Sequence, residues 1–302
     1  MILVTGSEGL IGRHVASALL ASGHAVRRFD LARASNEDVR SSVALARALE
    51  GVTGVLHLAA MSRVARAEID PDDCHATNVE GLGELLRLCL TQRNRPWVIF
   101  VSSREVYGQQ AVLPVPEDAA LMPINVYATS KVLGEGLIAQ ASSAGLQTNI
   151  CRLSNVYGCL HDHRDRVAMA FAAAAAWGGV ARVDGADCTF DFTFITDVAE
   201  GFCRLVEATI AGERLPPVQF VSGRGTTLGG LARLAKSISA HPVHIVEASA
   251  RTFDVSRFVG DPARTRALLG WQATTQIEPG MAALVRALHH QDAGVLPPVG
   301  QT

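Results

Sequence analysis

The strongest constraint on the fold lies in the first residues of the chain. Ile2 to Thr5 is a short apolar run that passes straight into Gly6-Ser7-Glu8-Gly9-Leu10-Ile11-Gly12. Leu10 to Ala21 then has helical spacing and stops before Gly23. A strand, a glycine-rich turn and a helix in that order open a parallel βαβ unit. Glycines at 6, 9 and 12 permit a tight turn, close approach of backbone to a pyrophosphate, and close packing of helix on strand, with the helix N-terminus aimed at the phosphates. A glycine-rich turn without a ligand is the plainer alternative. The motif nevertheless sits at the strand–helix junction that dinucleotide binding requires.

The alternation continues. Ala25–Phe29 reads as a strand, Ser41–Leu49 as a helix, Gly54–Ala59 as a strand and Pro71–Leu90 as a long helix. Trp97–Ser102 is a strand, Tyr127–Ala144 a helix and Thr148–Leu153 a strand. Apolar strands separated by helices imply an α/β fold with a parallel sheet covered on both faces. The second half is less regular, with helices expected over Arg166–Trp177, Thr196–Glu207, Leu228–Ser239 and Asp261–Leu269, and a strand over Val218–Val221. With 302 residues, 48% of them hydrophobic, the chain can bury a sizeable core. A net charge of −2 gives no basic excess that would point to nucleic acid. The longest uncharged apolar run, Val167–Val180, is too short to span a bilayer, and no basic leader precedes Val4, so no membrane partner and a cytoplasmic location are expected. Six scattered cysteines without a C-x-x-C pair read as reduced thiols.

Asp30 ends the second strand 18 positions beyond Gly12. A carboxylate there accepts hydrogen bonds from two ribose hydroxyls and repels a 2′-phosphate, which favours NAD as cofactor over NADP. The plainer reading of Asp30 is a strand-end cap, and Arg27, Arg28 and Arg33 soften the preference. Farther on, Tyr127 and Lys131 stand four apart on one helical face, and Lys131 is one of only two lysines in the chain. An ammonium beside a phenol favours the phenolate, and an oxidised nicotinamide pushes the same way. Together they are expected to bring the phenol from about 10 towards neutrality, where it can take a proton from a substrate hydroxyl. Ser102-Ser103 ends the preceding strand, at the edge where α/β sheets place ligands, and Ser103 is a candidate hydrogen-bond partner for the reacting oxygen.

These residues resemble the extended short-chain dehydrogenases/reductases, and within them the NAD-dependent epimerase/dehydratase family. The similarity spans nearly the whole chain: TGSEGLIG at 5–12, Asp30, Asp38-Val39, HLAA at 57–60, Asn78-Val79-Glu80-Gly81, SSREVYG at 102–108, PINVYATSK at 123–131, RLSNVYG at 152–158, DFTFITDVAEG at 191–201 and DPARTRALLGW at 261–271. The resemblance implies a Rossmann-type doubly wound parallel sheet with a smaller C-terminal substrate-binding domain. Residues 1–157 would form the NAD-binding domain, with returning segments near 190–221, and 158–189 and 222–302 the substrate-binding domain. It implies an NAD site built from Gly6, Gly9, Leu10, Ile11, Gly12, Asp30, Asp38, Val39, Leu58, Ala59, Ala60, Asn78, Ser102, Tyr127 and Lys131, with Asp38 and Val39 at the adenine and Asn78 supporting the central sheet. Ser103, Tyr127 and Lys131 would be catalytic, and Ser62, Ser103, Arg104, Glu105, Asn155 and Arg251 would face the substrate. The implied activity is that of a nucleotide-sugar epimerase, at C4, using resident NAD. The alternative is a sugar reductase or dehydrogenase, or a dehydratase or decarboxylase, of the same family. A homodimer through Pro71–Leu90 and Tyr127–Ala144 is implied by analogy.

The chain departs from the family pattern at three places. Phe190 stands where an arginine commonly precedes Asp-Phe and binds diphosphate, and Cys159 replaces a proline after NVYG. Arg104-Glu105 replaces the Asp-Glu of the 4,6-dehydratases, which removes the acid that protonates the leaving hydroxyl and leaves Glu105 as a base or, more simply, as a loop-fixing partner of Arg104. His161-Asp162-His163 has too few ligands for a metal site, so no metal is expected. His57 and the three tryptophans read as packing residues.

Overall fold

The computed structural model describes residues 1–250 and 255–291. In the first half the order is β1 (Ile2–Thr5), α1 (Leu10–Ala21), β2 (Val26–Phe29), α2 (Ser42–Ala48), β3 (Gly54–His57), α3 (Val64–Ile69), α4 (Pro71–His75), a π-helical turn (Ala76–Glu80), α5 (Gly81–Thr91), β4 (Trp97–Ser103), a 3₁₀ turn (Arg104–Tyr107), α6 (Val126–Ser143) and β5 (Thr148–Leu153). In the second half β6 (Asn155–Tyr157), α7 (Val167–Trp177), β7 (Gly179–Asp184), β8 (Thr189–Phe194), α8 (Ile195–Ile210), β9 (Val218–Phe220), β10 (Gly225–Thr227), α9 (Leu228–Ile238), β11 (Val243–Ala248), α10 (Ala263–Leu269) and α11 (Ile277–Gln291) follow.

Six strands form one parallel sheet in the order β2-β1-β3-β4-β5-β9. This is the Rossmann-type arrangement. Alternate residues of β1 enter different cores: Ile2 and Val4 pack with Val15 and Leu19 of α1 and Leu205 of α8, whereas Leu3 packs with Leu45, Leu85 and Ile138 on the other face. The register aligns Thr5 with Phe29 and with His57, and Ser103 with Leu153, so the carboxyl ends of five strands share one edge. The chain reverses its direction of travel across the sheet between β1 and β3, and the crevice at such a switch point is where these sheets hold ligands.

The sequence pattern is corrected in two respects. Pro71–Leu90 is not one regular helix, because the π turn adds a residue to the winding and turns Asn78 inward. There Asn78 accepts from Met61 N (2.8 Å) and donates to Met61 O (3.1 Å) and Ser130 Oγ (2.9 Å). The pattern also gave no sign of the small sheets β10-β8-β6 and β11-β7, which flank α7 and α9. Strands of three residues, as in β6 and β10, are too short to show an alternation. Trp97 and Trp271 are buried as expected, but Trp177 is 41% exposed. His57 is buried and bonds Thr5 Oγ1 through Nδ1 (2.9 Å), while Nε2 has no partner and burial lowers the ring to about 3. No disulfide joins any of the cysteines, and among the described residues no helix is long and apolar enough to cross a membrane.

Candidate functional site

The carboxyl edge of the large sheet opens into a cavity of about 680 Å³ that extends from the glycine loop to the residues before α7. Its floor is the turn after β1. Gly6 has φ +68°, and a Cβ there would lie 2.7 Å from Ala59 N. A Cβ on Gly12 would lie 2.1 Å from Gly6 O. The glycines therefore let the turn, β3 and α1 meet at backbone contact. Gly9 caps α1 with no side-chain hydrogen bond and the first turn holds no acidic residue, so the leading N–H groups remain available to an anion. Exchange of an exposed helical glycine for alanine stabilises by about 1 kcal/mol, but Gly12→Ala is expected to have the opposite sign. Overpacking should cost about 1–3 kcal/mol and displace the loop, read as a lowered Tm and loss of co-purifying nucleotide.

At the far end of β2, Asp30 lines the cavity and is fixed by Glu8 N to Oδ2 (2.9 Å) and Ala32 N to Oδ1 (2.8 Å), so it is both a turn-former and a cavity carboxylate. Val39, Leu58, Ala59, Ala60, Leu10, Ile11 and Ser62 also line the cavity. Asp38 and Asn78 do not. Asp38 is clasped by Arg40, whose Nε and Nη2 lie 2.9 and 2.7 Å from Oδ2, and this guanidinium holds the carboxyl below its usual range. Asn78 ties the π turn to the segment after β3 and to α6. Arg251 lies outside the described residues.

β4 and α6 bring the chemistry-bearing residues together. Asn125 caps α6 by accepting from Ala128 N at 2.7 Å. One turn later Lys131 Nζ donates to Val101 O (2.9 Å), 4.9 Å from the Phe100 ring centroid and 5.9 Å from that of Tyr127. Ser103, Tyr127 and Lys131 all line the cavity, and the Ser103 hydroxyl makes a contact that favours the phenolate.

The expected acidification of the phenol is corrected by this geometry. Burial pushes Tyr127 up to about 12, opposed only in part by Ser103 and by the charge of Arg166. Burial also brings Lys131 down to about 8, against the pull of Cys74 and Glu135. The protein alone thus leaves the phenol protonated at neutral pH. A stability signature follows. The folded-state value of Lys131 lies below its ordinary 10.5, so between those two values the unfolded chain holds a proton that the folded chain has released, and folding gains with rising pH. From pH 7 to 10 the wild type should therefore gain about 2 kcal/mol relative to Lys131→Met, measured by urea unfolding of both proteins at each pH.

Arg104 and Glu105 form a buried pair beside the cavity (2.7 Å). Arg104 Nε donates to Asn155 Oδ1 (2.9 Å), and its guanidinium carbon lies 4.7 Å from the centre of the Phe190 ring and 5.8 Å from that of Phe258. The other carboxylate oxygen of Glu105 accepts from Asn125 Nδ2 (3.2 Å). Behind them Ser102 Oγ donates to Glu135 Oε1 (2.6 Å), and Glu135 takes Arg152 Nε and Nη2 at 2.8 and 2.7 Å.

His161, Asp162, His163 and Arg166, which the sequence pattern does not mark as site residues, all line the cavity. The only signal was their position shortly after RLSNVYG, and a loop of changing direction carries no periodicity to read. Cys159 orders this loop by accepting His161 N at its Sγ (3.3 Å).

Three comparisons agree with this geometry. The model of the NAD dependent epimerase/dehydratase family matches residues 2–215. A UDP-glucose 4-epimerase of Mycolicibacterium smegmatis is 29% identical over 94% of this chain and 96% of its own length. Among solved structures, an NAD-dependent NDP-hexosamine 5,6-dehydratase, TunA, superposes with a TM-score of 0.84 at 31% identity over 94% of this chain and 96% of that one. The UDP-glucose 4-epimerase of Thermus thermophilus in complex with NAD gives 0.84 at 25% identity over 97% and 99%.

Proposed function

The chain belongs to the NAD-dependent epimerase/dehydratase family, and from that premise we propose that it inverts C4 of a nucleotide sugar. The glycine cradle, the uncapped start of α1 and the carboxylate of Asp30 fit a dinucleotide, and Tyr127 and Lys131 lie where its nicotinamide end would reach. NAD, when bound, supplies a reversible acceptor for two electrons from the sugar carbon and, when oxidised, the positive charge that the phenol lacks from the protein itself. Tyr127 takes the proton of the sugar hydroxyl and returns it after the keto sugar has presented its other face. Ser103 holds the same oxygen. Lys131, pinned to Val101 O, keeps a cationic group beside the phenol and in reach of a ribose.

The observation that carries epimerisation over elimination is the state of Glu105. A base for dehydration needs a carboxylate with a free lone pair facing substrate, beside an acid. Here one oxygen of Glu105 is held by Arg104 and the other by Asn125, and the arginine that stands where elimination needs an acid cannot serve as one. The similarity to the M. smegmatis epimerase supports the same choice. The likeness to the 5,6-dehydratase keeps elimination as the second reading. The test is to incubate the purified protein, without added cofactor, with UDP-glucose and to separate the products. Epimerisation gives a sugar of unchanged mass with no accumulation of reduced cofactor. A product lighter by one water establishes the second reading, and stoichiometric consumption of added reduced cofactor would identify a reductase.

The same proposal gives residues 158–189 and 222–302 to the substrate-binding domain, of which His161, Asp162, His163, Arg166, Val167 and Ala168 border the cavity among the described residues. It also makes a homodimer through Pro71–Leu90 and Tyr127–Ala144, where Leu133 is 45% exposed, to be measured by analytical ultracentrifugation.

A further inference from the structure

A nucleotide sugar brings about two negative charges into the cavity, and the lysine and arginine side chains that line it can be taken one by one among the described residues, outside which Arg251 lies. Arg40 is committed to Asp38 and Asp73, and Arg66, 69% exposed at its side chain, stands 3.7 Å from the same Asp73. Lys131 is committed to Val101 O, and Arg104 bonds Glu105 and Asn155 while its buried Nη1 has no partner among the described residues. Phe190, at the position where the family commonly carries an arginine, lays its ring on Arg104 and offers no charge. Arg166 remains. Its one ionic contact is a long one from Nε to Asp162 (3.5 Å), and neither terminal nitrogen hydrogen-bonds any described residue. Its side chain is 31% exposed, whereas that of Asp162 beneath it is 3% exposed, so an incoming anion meets the guanidinium first.

The loop that presents Arg166 is already set. Asp162 accepts from His163 N (2.8 Å), Arg166 N donates to His163 O (3.0 Å), and Asp165 is gripped by both terminal nitrogens of Arg63, which reaches over from the segment after β3. Arg166 immediately precedes α7, whose first turn has no side-chain cap and no acidic residue, so the adjacent backbone adds donors rather than repulsion. From this placement, and resting on the nucleotide-sugar reading above, we propose that Arg166 is a diphosphate-binding cation of this chain. The charge absent at position 190 of β8 is replaced by one at the start of α7. An arginine here can grip two phosphate oxygens at once, which a lysine cannot.

The experiment measures binding of UDP and of uridine to the purified, NAD-retaining protein by calorimetry. Arg166→Ala is expected to weaken UDP by about ten- to a hundredfold, the factor one charge-assisted hydrogen bond to phosphate supplies, and to leave uridine unchanged. Arg166→Lys should recover only part of the loss. The retained NAD and an unchanged Tm certify that the variants are folded. The assignment is overturned if Arg166→Ala binds UDP within twofold of the wild type, if uridine weakens as much as UDP, or if the wild type itself does not bind UDP. A wild type that binds UDP through Arg166 but alters no UDP-sugar sinks the epimerase reading and leaves this assignment standing.

Discussion

Tyr127→Phe is expected to lower kcat for the proposed inversion by about a hundred- to ten-thousandfold while the protein still folds and still retains NAD. The ring is 8% exposed and packs with Met61, Ala67 and Cys74, contacts that phenylalanine preserves. What is lost is the hydroxyl that faces the cavity with Ser103. The change removes an interaction made in proton transfer rather than in binding, so KM should move far less than kcat. Turnover within a fewfold of the wild type would show that another group handles the proton. The position of this phenol also bears on pH. Burial leaves it near 12 in the protein alone, so an acid limb near neutrality, with activity lost as the phenolate is protonated, would have to be acquired with the cofactor, and retained NAD should be required for it.

The second large effect is on stability. Arg152→Met should cost about 3–5 kcal/mol, because it leaves Glu135 in the interior with its ion pair broken and the Ser102 hydroxyl as its hydrogen-bond partner. The pair is 5% and 8% exposed at its side chains, and Arg152 also reaches Tyr107 Oη (3.0 Å) and Glu117 O (2.7 Å). Thermal and urea unfolding would measure the loss. A double variant, Glu135→Leu with Arg152→Met, should recover much of it, since two apolar groups leave no buried carboxylate unpaired. Equal destabilisation in the single and double variants would mean that the cost comes from packing rather than charge.

How much of this was legible beforehand differs by residue. The glycine turn, Asp30 and the Tyr127–Lys131 spacing were readable because each is fixed by local geometry: a backbone too close for a Cβ, a strand end, two side chains one helical turn apart. The parallel sheet was readable from apolar runs separated by helices. The resemblance to the family added Ser62, Asn155 and the alanines after β3, all of which line the cavity. What escaped depends on partners far away in the chain. Asp38 was assigned to adenine, but Arg40 holds its carboxylate. Asn78 was expected both in the cofactor site and as a support of the central sheet; a π turn gives it to the backbone of Met61 and to Ser130 and keeps it from the cavity lining. The fate of Glu105 turned on Asn125, 20 positions away. Spacing alone does not say which acceptor a donor will find.

The return of the chain to its first sheet has a consequence during synthesis. β9 pairs with Cys151–Leu153 of β5 only after an excursion of more than sixty residues through the smaller sheets. A nascent chain that has emerged only as far as Tyr157 already carries the glycine turn, Asp30, Tyr127 and Lys131, but one border of its sheet is bare. That border is apolar, since Cys151 and Leu153 are buried in the finished protein, and its unpaired N–H and C=O groups can template a neighbouring polypeptide. Ribosomal pausing between residues 157 and 220 should therefore lengthen the most aggregation-exposed interval in the life of this protein, and premature termination there should yield insoluble fragments rather than a usable half-enzyme.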